Sequence, residues 1–495
     1  MPETNATNNL VIQQFSNSKK SLNQKSSNIN NMIIEQLYTN CLAQAAYYIE
    51  SNGEVAIIDP LRDYKMYIDK ATANGAKIKY IFETHFHADF VSGHVDLAAK
   101  TGATIIYGPT TVTNFPVHVA TDNEVFEVGK LKIKVLHTPG HTLESSSFLL
   151  MDENGKDYCV FTGDTLFVGD VGRPDLLDGI MTKEELAAKM FNSLNTKIKP
   201  LADDVIVYPA HGPGSACGKN IGKETFSTIG EQKASNYALQ PMTEADFITA
   251  ITTGIAPAPS YFFKDAKLNK QGYASFETVI EQGLKPLSVD KFEEFYVEGT
   301  TIIDTRIADF FELGFIPKSF NFGLNGQYAI WAATLLDIHA PIIVVAKPGT
   351  EQESVERLTR VGFDNIKGFL EGGFDSWKNA YKKFDMIISI SSEELVLDSL
   401  HNPSAVILDV RKPTEFASGH LMQAKNIQLS EILTNNGELG KNQEILVHCA
   451  GGYRSMVAAA ALKTQGFTNV KNVWGGWSQI KDEPKAQIVQ EAVNA

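Results

Sequence analysis

The sequence predicts an α/β protein, with a layered α/β domain followed by two small α/β domains built on parallel sheets. Three observations carry that prediction. The chain has 495 residues, more than a single ordinary core accommodates. Four β-rich runs in its first half each lead directly into a cluster containing histidine or aspartate. Its second half holds an internal repeat, and each copy alternates strand with helix.

Residues 1–31 are rich in Asn, Ser and Gln and poor in large apolar residues, the composition of a disordered arm. They lack the apolar core of a secretory signal and the Arg-rich helix of a transit peptide, so a cytoplasmic chain is expected. No apolar run is long enough to span a bilayer. With 44 basic against 58 acidic residues, the formal charge of -14 argues against a nucleic-acid or anionic-membrane partner. The four cysteines, Cys41, Cys159, Cys217 and Cys449, form no CxxC pair, which fits a reducing compartment. Cys159, inside YCVF, reads as core packing.

The layered domain is expected over 32–262. KIKYIF, KIKVL, YCVF and DVIVY read as strands from their β-branched and aromatic content. They run into ETHFHAD, HTPGH, TGD and PAHGPG. His85, His141, Asp164 and His211 therefore fall just beyond the carboxyl ends of strands, the edge where layered α/β folds assemble sites from separate loops. His87 and Asp89 belong to the first of these loops. Imidazoles and carboxylates in that number point to a transition metal, against the plainer reading of histidines hydrogen-bonded in a polar cleft. Phe90 stands where a two-metal loop of this kind would place a further histidine.

A helical stretch over 219–239 and a Lys-containing passage over 263–285 are read as the domain's end and a linker. The repeat follows, with copies over 286–385 and 388–485. Asp304-Thr305-Arg306 precedes Gly314 as Asp409-Val410-Arg411 precedes Gly419, with the same spacing of 10 and an offset of 105 between the aspartates. IIVVAKPG aligns with ILVHCAGG, so the first copy has Ala346 where the second has Cys449. In the second copy a strand ends at His448, a loop runs from Cys449 through Ala450, Gly451, Gly452 and Tyr453 to Arg454, and an Ala-rich helix follows. Loop amides at a helix N-terminus cradle an anion and favour a thiolate, and Arg454 adds positive charge. The first copy, with Glu351 near the arginine's position, cannot run that chemistry and is expected to be a spacer or docking surface.

THFHAD, HTPGHT, TGDTLF and YPAHG resemble the metallo-β-lactamase superfamily, which implies an αββα sandwich. Glyoxalase II, a two-metal thioester hydrolase of that superfamily, has a histidine at the position of Phe90. The remaining pattern resembles the persulfide dioxygenases. That resemblance implies one Fe(II) per chain held by His85, His141 and Asp164, with His87, Asp89 and His211 orienting the ligands. A single zinc on His85, His87 and His141 is the alternative, and would support hydrolysis. Glutathione-using relatives continue the last motif as YPAHDY, whereas this chain reads YPAHGPGSACG and places Cys217 in the altered loop, as a redox thiol that could approach the site or as an ordinary loop cysteine. Arg173, in GDVGRPD, matches a position near the substrate, where it could bind a carboxylate or form a plain salt bridge.

DVRKPTEF, SGHL, HCAGGYRS and GGW resemble the rhodanese sulfurtransferases, which implies a persulfide on Cys449. Four residues separate Cys449 from Arg454, a tighter ring than the five of related phosphatases, suited to a sulfur atom or compact sulfur oxyanion. The whole chain thus resembles a fusion of a persulfide dioxygenase, an inactive rhodanese-like domain and an active rhodanese. The expected partners are a low-molecular-weight thiol persulfide, O2, sulfite and thiosulfate, and a homo-oligomer is expected. Two rivals are a metal-dependent thioester hydrolase with rhodanese appendages and a non-enzymatic persulfide carrier or sensor.

Overall fold

A computed structural model describes residues 10–14, 32–177 and 179–491. The chain divides into two compact units, with the main division at Phe276.

The first unit is the predicted sandwich. Its sequence supplies strands that are apolar on both faces, and such strands fold only between two covering layers. In Gln44–Ser51, Ala45, Tyr47 and Ile49 join Phe148, Leu150 and Phe161 of the opposing sheet in the central core. The alternate residues Ala46 and Tyr48 pack outward against Tyr67, Ala71 and Leu97 of the helices Lys65–Ala73 and His94–Thr101. On the second sheet, Leu149 and Val160 likewise face Ala187 and Met190 of helix Lys183–Ser193. That helix starts cleanly because Thr182 and Glu185 form a capping box. Among the described residues the sheets have seven and six strands. Within the arm of 1–31, Leu10–Gln14 pairs antiparallel with Met32–Thr39. The rest of the arm lies outside the described residues.

The passage over 263–285, read as a linker, takes regular structure. It is largely helical, as Phe262–Gln271 and Phe276–Gly283, and the first helix belongs to the sandwich unit.

The second unit contains the two repeat copies. Each has a parallel five-stranded sheet of the same connectivity, ordered Pro286–Leu287, Ile366–Leu370, Ile342–Val345, Thr301–Asp304, Ser319–Asn321 in the first. The second runs Ile388–Ile390, Val470–Val473, Ile445–His448, Val406–Asp409, Lys425–Asn426. The repeated Asp-x-Arg motif is a scaffold device. Arg306 grips Asp304 and donates to the Gly314 carbonyl at 2.8 Å, while lying over the Phe374 ring. Arg411 does the same with Asp409, the Gly419 carbonyl at 2.7 Å, and the Trp477 ring. A charge buried this deeply is tolerable only when its partners are built in. Among the described residues no helix is long and apolar enough to cross a membrane.

Candidate metal centre and cysteine loop

Four strands of the sandwich deliver the predicted ligands to one edge: Lys77–Phe82, Leu131–His137, Asp157–Gly163 and Ile206–Pro209. His85, His141 and Asp164 are buried, with one donor atom from each lying within 4.8 Å of the others. The two imidazole rings stand perpendicular, their centroids 4.8 Å apart. From Asp164 Oδ2, His141 Nε2 is 3.3 Å away and His85 Nε2 is 3.8 Å away. Among the described residues these three atoms have no hydrogen-bond partner. A buried polar atom left unsatisfied costs about 1–3 kcal/mol, so three converging ones fit a cation and little else.

The other atoms of the same side chains are engaged, which aims the three. His141 Nδ1 faces the Arg173 carbonyl at 2.8 Å, so that nitrogen carries the proton and Nε2 keeps its lone pair. Thr84 Oγ1 lies 2.9 Å from His85 Nδ1. His211 Nδ1 binds Asp164 Oδ1 at 2.8 Å, leaving Oδ2 for the ion. Burial first, and then neighbouring His87, push the His85 imidazole well below its ordinary range, into the neutral form that ligates. For Asp164 burial opposes ionisation, but His211, His85 and His141 outweigh it and hold the carboxyl far below its usual value. His211 is the reverse case, with burial overcome by Asp164 and Asp89, so it sits as an imidazolium between two carboxylates.

His87 is not brought to this group. Its Nε2 lies 3.2 Å from Asp59 and 3.6 Å from Glu83, and its ring packs on buried Phe90 at 4.4 Å. The three-histidine set of His85, His87 and His141 is not among the groups whose donor atoms converge, although the His85 and His87 rings lie 4.2 Å apart. Asp89, His211 and Cys217 form a separate buried group. Burial and the charges of Asp89 and Asp164 push the Cys217 thiol well up. Arg173 is held by Asp175 and by the carbonyls of Ala216 and Ala256, so a substrate carboxylate would have to displace one of these.

Sequence reasoning missed several supports. Asp59 accepts from both the amide and the hydroxyl of Thr84, and its signal was IIDP, one more strand ending in a carboxylate. Asn269 had no sequence signal. Its amide nitrogen donates to the carbonyls of His87 and Phe90, both at 2.7 Å, and its oxygen accepts from Ser92 N–H. The metal loop is thus pinned by the helix that reads as linker.

In the second unit, Cys449 is buried at the end of Ile445–His448. The Gly452 N–H donates to its sulfur at 3.1 Å. Gly452, at φ +107°, starts the helix Tyr453–Thr464, so the helix N-terminus points its partial charge at the thiol. Arg454 makes a two-pronged ion pair with Glu415 at 2.7 and 2.8 Å, so its charge is shared with that carboxylate. Ser455, unremarked in the sequence, places its hydroxyl 3.7 Å from the sulfur. In the first copy, the Glu351 carboxylate accepts from the Gly349 amide and fills its own loop.

The αββα sandwich with a strand-edge ligand group defines a metal-dependent class of protein, here carrying two rhodanese-type domains. The Metallo-beta-lactamase superfamily matches residues 39–211, and the Rhodanese-like domain matches 288–380 and 392–483. A metallo-beta-lactamase of Staphylococcus aureus subsp. aureus COL is 33% identical, with a TM-score of 0.62, covering 69% of this chain and 99% of that one. The chain belongs to the metallo-β-lactamase superfamily. A probable hydroxyacylglutathione hydrolase of Schizosaccharomyces pombe is 34% identical over 33% of this chain. The chain spans 60% of the length of that curated relative. ETHE1 from Myxococcus xanthus is 27% identical, with a TM-score of 0.42, covering 48% of this chain and 98% of that one.

Proposed function

We propose that the protein oxidises low-molecular-weight persulfides with O2 to sulfite at one ferrous ion, and that Cys449 couples this to sulfur transfer that makes or uses thiosulfate. The observation that carries the reading is the donor set of His85, His141 and Asp164, whose three converging atoms include none from His87. His85, His141 and Asp164 would hold the ferrous ion, which when bound would supply the redox chemistry that joins O2 to a substrate thiolate. His85 and His141 present Nε2 because Thr84 and the Arg173 carbonyl occupy Nδ1. His211 reserves one oxygen of Asp164 and directs the other inward. Phe90, fully buried, cannot supply a donor for a second ion.

The overall change balances. A persulfide, O2 and water give sulfite, a thiol and two protons. The outer sulfur loses four electrons, O2 gains them, and water supplies the third oxygen. At Cys449, sulfite attacks the outer sulfur of a cysteine persulfide. The cysteine's S–S bond breaks as the S–S bond of thiosulfate forms, and the thiolate left behind receives the Gly452 N–H. The reverse flow, from thiosulfate to Cys449, follows the same geometry.

Product analysis tests this. Given a persulfide and O2, the wild type should form sulfite and thiosulfate, whereas Cys449→Ser should accumulate sulfite alone. A second reading, thioester hydrolysis, is supported by the identity to proteins named hydroxyacylglutathione hydrolases. It predicts turnover of a hydroxyacylglutathione without O2 and no sulfite from any persulfide.

A further inference from the structure

The rhodanese-like copy without a cysteine has no part in the chemistry above. We propose that it is the positioning domain of the Cys449 loop and acts through Tyr453, an inference that rests on reading Cys449 as the sulfur carrier. Both copies lie in one compact unit.

The helix that follows the loop gives the first indication. Eight consecutive residues, Ser455 to Leu462, are buried. A helix covering a single core buries only a stripe, so this one must be covered on opposite sides. One side meets the strands Ile445–His448 and Val470–Val473 of its own sheet. Another meets Ser319–Asn321, the edge strand of the cysteine-less copy. The run of alanines from Ala458 to Ala461 lets the backbone approach both closely.

The second indication is Tyr453 itself, the residue between the cradle glycine and Arg454. Its hydroxyl donates to the Gly323 carbonyl of the other copy at 3.0 Å. Its ring lies on Gly326 so closely that a Cβ there would be 2.3 Å from Cε2. That loop is held in turn by Arg357, buried at 3% exposure, which donates to the carbonyls of Leu324 at 2.6 Å and Gly326 at 3.0 Å. The Arg357 guanidinium also lies over the Tyr328 ring. Arg357 thus fixes the loop, the loop seats Tyr453, and Tyr453 sets the helix start whose Gly452 N–H reaches the Cys449 sulfur. Tyr453 and Gly326 are positioning residues, and neither touches the reacting sulfur.

The test uses the full chain and two readouts: alkylation of Cys449 by iodoacetamide at one pH, and sulfur transfer from thiosulfate to cyanide. Gly326→Ala and Tyr453→Ala should slow alkylation and lower kcat about tenfold, with the thiosulfate KM changed by less than about threefold. Tyr453→Phe keeps the ring and should recover most of the loss. Wild-type alkylation rates in both alanine variants would overturn the proposal, even if their thermal midpoints fall. Should Gly326→Ala fail to fold, Tyr453→Ala and Arg357→Gln decide by the same readouts. Alkylation asks nothing of a substrate. A wild type without thiosulfate activity would therefore sink the sulfur-carrier reading, while the alkylation series still decides whether Tyr453 positions the loop.

Discussion

Gly172 is the tightest residue at the metal centre. A Cβ there would meet the Asp164 carbonyl at 2.1 Å and His141 Nδ1 at 3.0 Å. Gly172→Ala should therefore push two ligands off register, and metal analysis should find well under one ion per chain in a protein that still folds. His94 supports a second prediction. Burial, then His87, lowers its pKa from 6.5 to about 3. Between those values the unfolded chain takes up a proton that the folded chain refuses, so stability falls as pH drops from 6.5 toward 3. Urea midpoints at about pH 7.5 and 5.5 should fall more for wild type than for His94→Gln. At this scale, the sequence displayed donors at strand ends but could not say which way each ring turns. His85 and His87 are two residues apart, yet only His85 joins the group with His141 and Asp164, whereas His87 falls into a second buried group with Asp59 and Glu83.

Elements decide whether that loop keeps its shape. Helix Phe262–Gln271 contributes Asn269, whose three hydrogen bonds to residues 87–92 are all buried. Asn269→Ala leaves those groups unsatisfied and should cost about 1–3 kcal/mol, read as a lower urea midpoint together with weaker metal retention. Lys264, Lys267 and Lys270 made this segment read as a linker, since its apolar residues are few and one side faces solvent. The strands were plain from their β-branched and aromatic runs, whether buried on both faces, as in Asp157–Gly163, or alternately, as in Leu131–His137. The repeated Asp-x-Arg was visible as a pattern, but its purpose, an arginine clamping a glycine carbonyl, depends on a contact between distant residues.

For the whole molecule, the candidate ligand group and Cys449 lie in separate compact units of one chain. Linkage raises the concentration of each product at the next site without requiring a shared cavity. Cys449→Ser should therefore leave persulfide-dependent O2 uptake near the wild-type rate while abolishing thiosulfate. Metal loading should raise the thermal midpoint of the sandwich unit, since an ion that binds only the folded state stabilises it by mass action. Order along the chain was readable from motifs alone. The helical segment after residue 262 and the seating of Tyr453 were not, because each depends on packing between elements far apart in sequence.

The most direct test is O2 consumption by protein purified without oxygen, assayed for metal and given the persulfides of glutathione and coenzyme A in turn. Uptake proportional to iron content, absent in the zinc-loaded protein and in His141→Ala, is the predicted result. No uptake with any persulfide from a protein that holds iron would contradict the account.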